Sequence, residues 1–185
     1  VALRTRLAVD SDGVRLVHGE ADGLPGLVVD RYGDTLVAQV GFVGAERWKD
    51  AIADALLAAT GSTRLYERSD LGVRKLEGLP EQQGWLRGEG ATEVTIREHD
   101  WRFDVDIAHG HKTGFYLDQR ANRRHFAEWV QRLDLKRVLN CYAYTGGFAI
   151  AALAGGASQV TSVDSSAPAL VRAEAHVLAN GFSAE

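Results

Sequence analysis

The chain has 185 residues, a mass of 20.1 kDa and a formal net charge of −4, with 45% hydrophobic and 25% charged residues. This ordinary globular composition excludes a disordered, collagen-like or coiled-coil protein, and the charge argues against a strongly cationic nucleic-acid binder. No apolar stretch approaches the ~20 residues of a transmembrane helix, and the first residues lack the pattern of a secretory signal.

The first part of the chain mixes strand and helix patterns. Short strands, the middle pair joined by a hairpin turn at Gly33-Asp34, are predicted at residues 14–18, 26–32, 34–41 and 63–68. One helix, ended by Gly61, is predicted over residues 46–59, and its apolar face would consist of Trp48, Ile52, Ala55, Leu56 and Ala59. A Gly-rich polar loop and then a second hairpin follow, at residues 78–91 and at 93–98 with 101–107. An α+β domain over residues 1–107 is therefore expected.

From residue 108 the pattern changes to strand, helix, strand, helix. Asp118 is predicted to cap a helix reaching Leu133, with an apolar stripe of Phe126, Trp129, Val130 and Leu133. The elements that follow are predicted at residues 137–141, 147–154, 159–163 and 167–180. This order is the start of a parallel, doubly wound sheet. Two strands do not complete such a sheet, so we expect most of it to lie beyond Glu185, and we predict a second domain over residues 108–185.

A glycine-containing loop follows the first strand of this second segment. The sequence Asn140-Cys-Tyr-Ala-Tyr-Thr-Gly-Gly-Phe148 leaves the strand and opens a helix, where paired glycines allow a ligand close to the backbone and free N–H groups are available. Asp164 ends the next strand, and a carboxylate there can accept hydrogen bonds from both hydroxyls of an adenosine ribose. The pattern indicates a nucleoside-type ligand, or else a glycine turn that only packs helix on strand.

Two common nucleotide motifs are missing. The Gly-x-Gly-x-x-Gly fingerprint is absent, which disfavours NAD, and His111-Lys112-Thr113 lacks the glycines of a phosphate loop, which disfavours ATP. S-adenosylmethionine remains, because it carries an adenosine ribose and no pyrophosphate. On spacing alone it competes with any other nucleotide-type ligand.

The sequence also resembles the bacterial large-subunit ribosomal RNA cytosine-5 methyltransferase I family, which depends on S-adenosylmethionine. The similarity covers nearly the whole chain in order, and the matching runs are GEADGLPGLVVDR (19–31), ERSD (67–70), VRKLEG (73–78), HGHKTGFYLDQR (109–120), NCYAYTGGF (140–148) and VDSS (163–166). The resemblance implies an RNA-binding PUA domain, a middle α+β domain and a Rossmann-like methyltransferase domain. This chain would hold the middle domain and the opening of the last, giving an α/β fold class.

The resemblance also implies a cofactor site and partners. The expected cofactor is S-adenosylmethionine, the expected partner is ribosomal RNA, and a second copy of the chain is a further candidate; no membrane and no metal are expected. The residues implied to bind the cofactor are Lys112, Thr113, Phe115, Tyr116, Arg120, Asn140, Tyr142, Tyr144, Thr145, Gly146, Gly147, Asp164, Ser165 and Ser166. His109 and His111 have no further ligand at a usual metal spacing.

The single cysteine bears on both catalysis and location. Enzymes of the resembled kind add a cysteine thiolate to C6 of cytosine so that C5 can take the methyl group. The family's catalytic cysteines lie further along the sheet than this chain reaches, so no catalytic residue is predicted here and the chain alone is expected to be inactive. The expected activity of the full-length protein is 5-methylcytosine formation in large-subunit ribosomal RNA. Methylation of another RNA base, and a non-catalytic RNA-binding module with a vestigial cofactor fold, are the alternatives. Cys141 is interpreted as a small buried packing residue. One cysteine allows no internal disulfide and is typical of a reducing, cytoplasmic setting.

The basic residues are distributed unevenly. Residues 1–107 hold 13 basic and 19 acidic side chains, whereas residues 108–185 hold 8 and 6. Contact with RNA phosphates and a solvated face remain open alternatives for Arg123, Arg124, Arg132, Lys136 and Arg137. For Arg68, Arg74 and Lys75 the alternatives are RNA contact and ion pairs within the first domain.

Overall fold

The computed structural model describes Arg4 and residues 6–184, which form two compact units. The first unit combines the described residues up to His99 with Asp104–Leu117, and the second combines Asp100–Phe103 with the described residues from Asp118 onward. The expected α/β class is confirmed, since each unit contains both helices and strands. The domain boundary between residues 107 and 108 stays a prediction.

A five-stranded mixed sheet organises the first unit. Its strands follow one another in the order β1 to β5, which are Gly13–His18, Leu27–Tyr32, Thr35–Val40, Arg64–Ser69 and Gln82–Arg87. Neighbouring strands are antiparallel except β3 and β4, which run parallel with Leu36 opposite Leu65. Both of these leucines are fully buried, and each such burial contributes about 1.5–3 kcal/mol. The predicted hairpin at Gly33-Asp34 is confirmed as the β2–β3 turn.

The loop prediction for residues 78–91 is wrong, because β5 lies within it. β5 pairs antiparallel with β4, and Trp85 packs edge-on against Tyr66 with ring centroids 5.1 Å apart. As the edge strand, β5 is mostly half-buried and has no clear alternation of apolar and polar side chains. Edge strands need little apolar patterning, so this one left a weak sequence signal.

Within residues 6–99, three α-helices accompany this sheet, α1 at Val43–Arg47, α2 at Lys49–Thr60 and α3 at Gly72–Leu76. The predicted stop is confirmed: Gly61 is left-handed, with φ of 71°, and its N–H bonds to the Leu57 carbonyl at 2.9 Å. The predicted apolar face is confirmed for Leu56, which is buried, and for Ile52, which packs against the core. It is wrong for Trp48, which is 62% exposed, and for the exposed Ala55 and Ala59, while Ala53 is buried instead. An alanine-rich helix offers several apolar faces, and packing on the sheet selects one of them.

The predicted second hairpin is confirmed. β6 (Glu93–Glu98) and β7 (Trp101–Asp106) form a two-stranded sheet, and His99 in the connection has a left-handed φ of 54°. Several of their side chains are fully or almost fully buried, namely Ile96, Glu98, Phe103 and Val105.

The second unit contains the predicted strand–helix–strand–helix run. β8 (Arg137–Cys141) and β9 (Gln159–Val163) pair in parallel, with Val138 opposite Val160. The helices are α4 at Arg120–Arg132, α5 at Gly147–Ala154 and α6 at Ala167–Ala179. A small core of Val130, Ala152 and Ala157 is packed by Phe126, Val138 and Val160. Small side chains suit this packing, since a methyl group at Gly155 would lie 2.5 Å from the Ala127 carbonyl oxygen.

Two details predicted for α4 are corrected. Asp118 lies in a short 3-10 turn at Leu117–Gln119 and accepts a bond from Gln119 Nε2 at 3.1 Å. Gln119 occupies the cap position, but its side chain accepts no bond from a backbone N–H of the helix. The buried residues of α4 are Arg123, Ala127 and Val130, whereas Trp129 is 53% exposed and Leu133 55% exposed. Ala127 and Val130 face Gly155, which follows α5. Trp129 lies about 100° around the helix from Val130 and is therefore outside this contact.

Over Arg4 and residues 6–184, no helix is both long and apolar enough to cross a lipid bilayer.

Candidate cofactor site

The loop after β8 adopts a left-handed backbone at alternate residues. Tyr142, Tyr144 and Gly146 have φ values of 55°, 47° and 79°. Non-glycine residues seldom adopt such values, and they persist only where surrounding contacts hold them. Tyr142 is 92% exposed, whereas Ala143 and Thr145 are buried. The backbone of the loop between β8 and α5 is therefore strained. Backbone strain of this kind is common at ligand-binding sites.

Asp164 holds this loop through its carboxylate. Its Oδ2 accepts a bond from the Tyr144 N–H at 2.8 Å, and its Oδ1 accepts one from the Ser166 N–H at 2.9 Å. Bonds to an ionised carboxylate are stronger than neutral ones, so the contact joins the loop firmly to the residues that begin α6.

Helix α6 supports the same loop at two neighbouring points. The Nδ1 atom of buried His176 lies 2.8 Å from the Thr145 carbonyl oxygen. A methyl group at Gly146 would lie 2.8 Å from the Cβ of Ala173, one helical turn before His176. Only glycine therefore meets both demands at residue 146, the positive φ and the close approach of α6. Sequence reasoning missed His176 and Ala173. The available signal was weak, since it consisted of a small residue within a predicted helix.

Two buried polar atoms near the loop have no protein partner among the described residues. They are Nδ2 of Asn140, on β8, and Oγ1 of Thr145, whose residue is 5% exposed. Buried polar groups are normally satisfied, and the first N–H groups of α5 also lack partners within the helix. A nucleoside cofactor with ribose hydroxyls and an amino-acid end suits this set of donors and acceptors. The residues present therefore fit S-adenosylmethionine.

The serines after β9 differ in exposure and in contacts. Ser166 caps α6, since its Oγ accepts a bond from the Ala169 N–H at 3.4 Å. Ser165 is exposed beside it.

Two further predicted residues lie at the beginnings of helices. Gly147 begins α5, and a methyl group there would lie 3.1 Å from Cδ of Arg123. Arg120 is half-buried at the first residue of α4.

The remaining predicted residues belong to the first unit, where Thr113 faces the interior. Its hydroxyl donates to Oδ2 of Asp30 and lies 2.8 Å from the Tyr32 hydroxyl oxygen, which accepts a bond from the Phe115 N–H at 3.1 Å. Asp30 also receives two bonds from Arg15, both at 2.8 Å. Burial, reinforced by the Asp30 charge, raises the pKa of Tyr32. This network fixes the segment 111–116 to β2.

Side chains of the segment 111–116 differ in their access to a ligand. Thr113 and Phe115 are buried, whereas Lys112 is exposed and Tyr116 is half-buried. Lys112 has a left-handed φ of 60°, and its Nζ lies 5.8 Å from the centroid of the Tyr116 ring. The fourteen predicted residues thus divide between the units, with Lys112, Thr113, Phe115 and Tyr116 in the first and the other ten in the second.

The structure corrects the interpretation of Cys141 as buried. Side chains alternate along β8, so Val138 and Asn140 are half-buried while Leu139 and Cys141 are exposed. Alternation places Cys141 on the opposite face of the strand from Val138, which packs into the core. Within Arg4 and residues 6–184, no group of three or more potential metal ligands occurs.

Ion pairs account for the arginines of the first unit that were candidates for RNA contact. Buried Arg68 bonds Asp70 and the carbonyl oxygens of Ile107 and Gly110. Buried Arg74 bonds Glu46 at 2.8 Å and the Val40 carbonyl oxygen at 2.6 Å. Both guanidinium groups therefore stabilise the unit from inside, while Lys75 is exposed and pairs with Glu81.

Comparison with known proteins relates this site to methyltransferases. A family model described as S-adenosylmethionine-dependent methyltransferase matches residues 74–184. The chain is 50% identical over 187 aligned residues to the ribosomal RNA large subunit methyltransferase I of Photobacterium profundum, and 49% identical over 171 to that of Aeromonas salmonicida. These alignments cover 100% and 92% of the chain but 46% and 42% of the relatives, so the chain spans less than half of their length.

Solved structures show the same relationship. A protein from Streptococcus mutans assigned as an S-adenosylmethionine-dependent methyltransferase superposes with a TM-score of 0.80 at 26% identity, covering 97% of this chain and 46% of that one. The methyltransferase SMU.776, solved in complex with SAH, gives a TM-score of 0.79 at 26% identity, with 98% and 45% covered. S-adenosylmethionine is the cofactor of the matched family. The chain belongs to the family of S-adenosylmethionine-dependent methyltransferases.

Proposed function

We propose that the whole protein transfers a methyl group from S-adenosylmethionine to large-subunit ribosomal RNA and that its product is 5-methylcytosine. The observation that carries this proposal is the 50% identity, over the full chain, to a relative named ribosomal RNA large subunit methyltransferase I. The cytosine-5 specificity rests on the sequence runs that resemble that family. An RNA substrate is in keeping with the cytoplasmic location that we expect.

The residues of the second unit would hold the adenosine part of the cofactor. We assign the ribose hydroxyls to Asp164, whose carboxylate already orders the loop through the Tyr144 N–H. Thr145 and Asn140 contribute the buried polar atoms that have no protein partner among the described residues. Gly146 and Gly147 let Ala173 and Arg123 pack closely against the loop, which holds it in place. Tyr142 directly follows β8, and Ser165 and Ser166 lie between β9 and α6. We assign these three residues to the edge of the same site.

The methionine part of the cofactor carries a carboxylate and a positively charged sulfonium. We assign Lys112 and Arg120 as candidate partners of the carboxylate, and Tyr116 as an aromatic face for the sulfonium. Thr113 and Phe115 would act indirectly, since their contacts fix the segment 111–116 to β2. Bound S-adenosylmethionine supplies an electrophilic methyl group, and these residues would orient it.

The expected roles of the two parts of the chain follow from the family resemblance. Residues 1–107 would form a middle domain on the RNA side, and residues 108–185 the start of the cofactor domain. We expect the thiolate that attacks cytosine to come from a residue other than Cys141.

The test is methyl transfer by the purified whole protein. Unmodified large-subunit ribosomal RNA is incubated with methyl-labelled S-adenosylmethionine, digested to nucleosides and analysed by mass spectrometry. We expect label in 5-methylcytidine, and its loss in Asp164→Ala together with a fall in cofactor affinity on the order of tenfold or more. Label in another nucleoside would contradict the cytosine assignment, and no label despite normal cofactor binding would contradict the RNA substrate.

A matched variant separates the ribose contact from folding. Glu174→Ala removes another carboxylate from the same unit, on the exposed side of α6. We expect it to leave cofactor affinity unchanged in calorimetric titration. Equal affinities for wild type, Asp164→Ala and Glu174→Ala would remove Asp164 from the site.

A further inference from the structure

The outer surface of α4 carries a row of exposed side chains at helical spacing. This α4 row consists of Asn122, His125, Trp129 and Arg132, three or four residues apart and therefore on one stripe. Trp129 is 53% exposed, and the guanidinium carbon of Arg132 lies 5.3 Å from the centroid of its ring. The row thus combines an accessible aromatic ring, a cation stacked on it and two side chains able to form hydrogen bonds.

Positive charge surrounds the α4 row. Residues 120–137 contain six basic and two acidic side chains, although the whole chain has a net charge of −4. Both acidic side chains are matched locally, Glu128 by Arg124 at 3.2 Å and Asp134 by Lys136 at 2.5 Å. Arg123 is buried and Arg120 half-buried, so the surface charge comes from the exposed side chains. Four of these are basic (Arg124, Arg132, Lys136 and Arg137) and two are acidic, so the segment presents a net positive surface, which is complementary to a phosphate backbone.

The position of α4 connects this surface with the cofactor loop. Arg123, on the first turn of α4, lies against Gly147 at the beginning of α5. A 13-residue helix is about 20 Å long, and the row extends along it away from that end. A nucleic acid strand whose target base reaches the loop could therefore continue along α4.

The side chains in the row favour RNA over a protein partner. Single-stranded nucleic acids bind by stacking bases on exposed aromatic rings, with arginine contributing cation–π contact and phosphate pairing. Leu133, four residues after Trp129, is also exposed beside the row, but it is one apolar side chain next to Arg132 and an otherwise polar stripe. The charge of residues 120–137 supports RNA as the occupant.

We propose that the α4 row is a contact site for single-stranded RNA flanking the methylated nucleotide. A base stacks on Trp129, and Arg132 pairs with a phosphate. This inference rests on the proposed function in one respect, because it takes RNA to be the substrate.

The test measures binding of the whole protein to a fluorescein-labelled single-stranded RNA of about 12 nucleotides and mixed sequence, by fluorescence anisotropy at several salt concentrations. We expect Trp129→Ala to raise the dissociation constant about tenfold, and Trp129→Phe to restore most of the affinity because it keeps a stacking ring. Arg132→Gln should lower the slope of log affinity against log salt by about 0.7, the value for one phosphate contact on a single strand.

Control measurements show whether a change in RNA affinity is specific to the α4 row. Leu178 is 57% exposed on α6, and Leu178→Ala should leave RNA affinity unchanged. All variants should bind S-adenosylmethionine like the wild type in calorimetric titration, which shows that the second unit is folded. Wild-type RNA affinity and salt slope in both Trp129→Ala and Arg132→Gln would overturn the proposal. So would a shift in sedimentation behaviour for Trp129→Ala without any loss of RNA affinity, which would mark a protein interface.

The ribosomal RNA methylation assay distinguishes failure of this inference from failure of the proposed function. Methylation by a wild-type protein whose Trp129 and Arg132 variants bind RNA normally would overturn the inference alone. Weakened RNA binding in those variants, with no methylation of ribosomal RNA by the wild type, would overturn the substrate assignment and leave the RNA contact supported.

Discussion

The buried imidazole of His176 donates to the backbone of Thr145, with 2.8 Å between Nδ1 and the carbonyl oxygen. Because a carbonyl only accepts, this contact assigns a proton to Nδ1. His176 is fully buried and packs edge-on against Phe103, with ring centroids 5.4 Å apart. Three contacts thus hold three consecutive residues of the loop after β8. Asp164 bonds Tyr144, His176 bonds Thr145, and Ala173 packs against Gly146.

We therefore expect His176 to act as a positioning residue for cofactor binding. His176→Ala should raise the dissociation constant of S-adenosylmethionine about three- to tenfold, because it removes one hydrogen bond to the loop. His176→Asn should recover most of the affinity, since its amide nitrogen can lie near the place of Nδ1. Calorimetric titration of the whole protein gives the affinities, and hydrogen exchange of residues 142–147 reports on loop order. Similar affinities for wild type and His176→Ala would contradict the role.

A comparison of Gly146 with Gly181 distinguishes the cost of backbone strain from the cost of a steric contact. Gly146→Ala should lower the free energy of unfolding by more than Gly181→Ala, although both glycines have φ of 79°. The added methyl group would meet Ala173 at 2.8 Å in the first case and nothing within 4 Å in the second. Backbone strain alone costs of order 1–3 kcal/mol, and the contact adds to it. Urea unfolding of both variants measures the difference, and equal losses would show that α6 gives way at no cost.

Sequence patterns predicted the elements of this chain better than their buried faces. Helix α5 and strands β8 and β9 lie where predicted, because apolar runs between glycines leave few alternatives. Trp48 and Trp129 were assigned to buried stripes and are exposed, since an amphipathic pattern does not fix which of two adjacent apolar columns packs. The His176–Thr145 contact joins residues 31 positions apart and follows no local pattern, so only the folded chain reveals it.

Acid stability should depend on Glu46. Its partial burial would raise the pKa, but hydrogen bonds from Lys49 and Arg74 outweigh that effect and hold the pKa of Glu46 below its ordinary value of 4.5. A carboxyl with a lowered pKa in the folded state binds fewer protons folded than unfolded. Its stabilisation is therefore present above about pH 4.5 and is lost as the pH falls through the folded value.

We expect Glu46→Gln to be destabilising near pH 7 and to approach the wild type in acid. Urea unfolding of the whole protein between about pH 7 and pH 3 measures the difference in unfolding free energy. Glu128→Gln, which removes an exposed pair with Arg124, is the matched control and should cost about 0–1 kcal/mol. A difference between Glu46→Gln and wild type that stays constant down to pH 3 would contradict the assignment.

Cys141 provides the last prediction, that the whole protein keeps its activity without this thiol. The residue ends β8 directly before Tyr142 of the cofactor loop, and its side chain is exposed on the face opposite Val138. Cys141→Ser changes one atom at an exposed position, so unfolding free energy and cofactor affinity should stay within about 0.5 kcal/mol of wild type. We expect 5-methylcytidine formation on ribosomal RNA, measured by mass spectrometry, to stay within about twofold, which corresponds to the same free energy.

A covalent trap makes this test decisive. RNA carrying a cytosine analogue that cannot complete the reaction should accumulate as a covalent adduct with both wild type and Cys141→Ser, because the attacking thiolate is expected elsewhere in the whole protein. Gel electrophoresis under denaturing conditions detects the adduct. Its loss in Cys141→Ser, with cofactor binding unchanged, would identify Cys141 as the nucleophile. The end of β8 would then belong to the base-binding side of the active site.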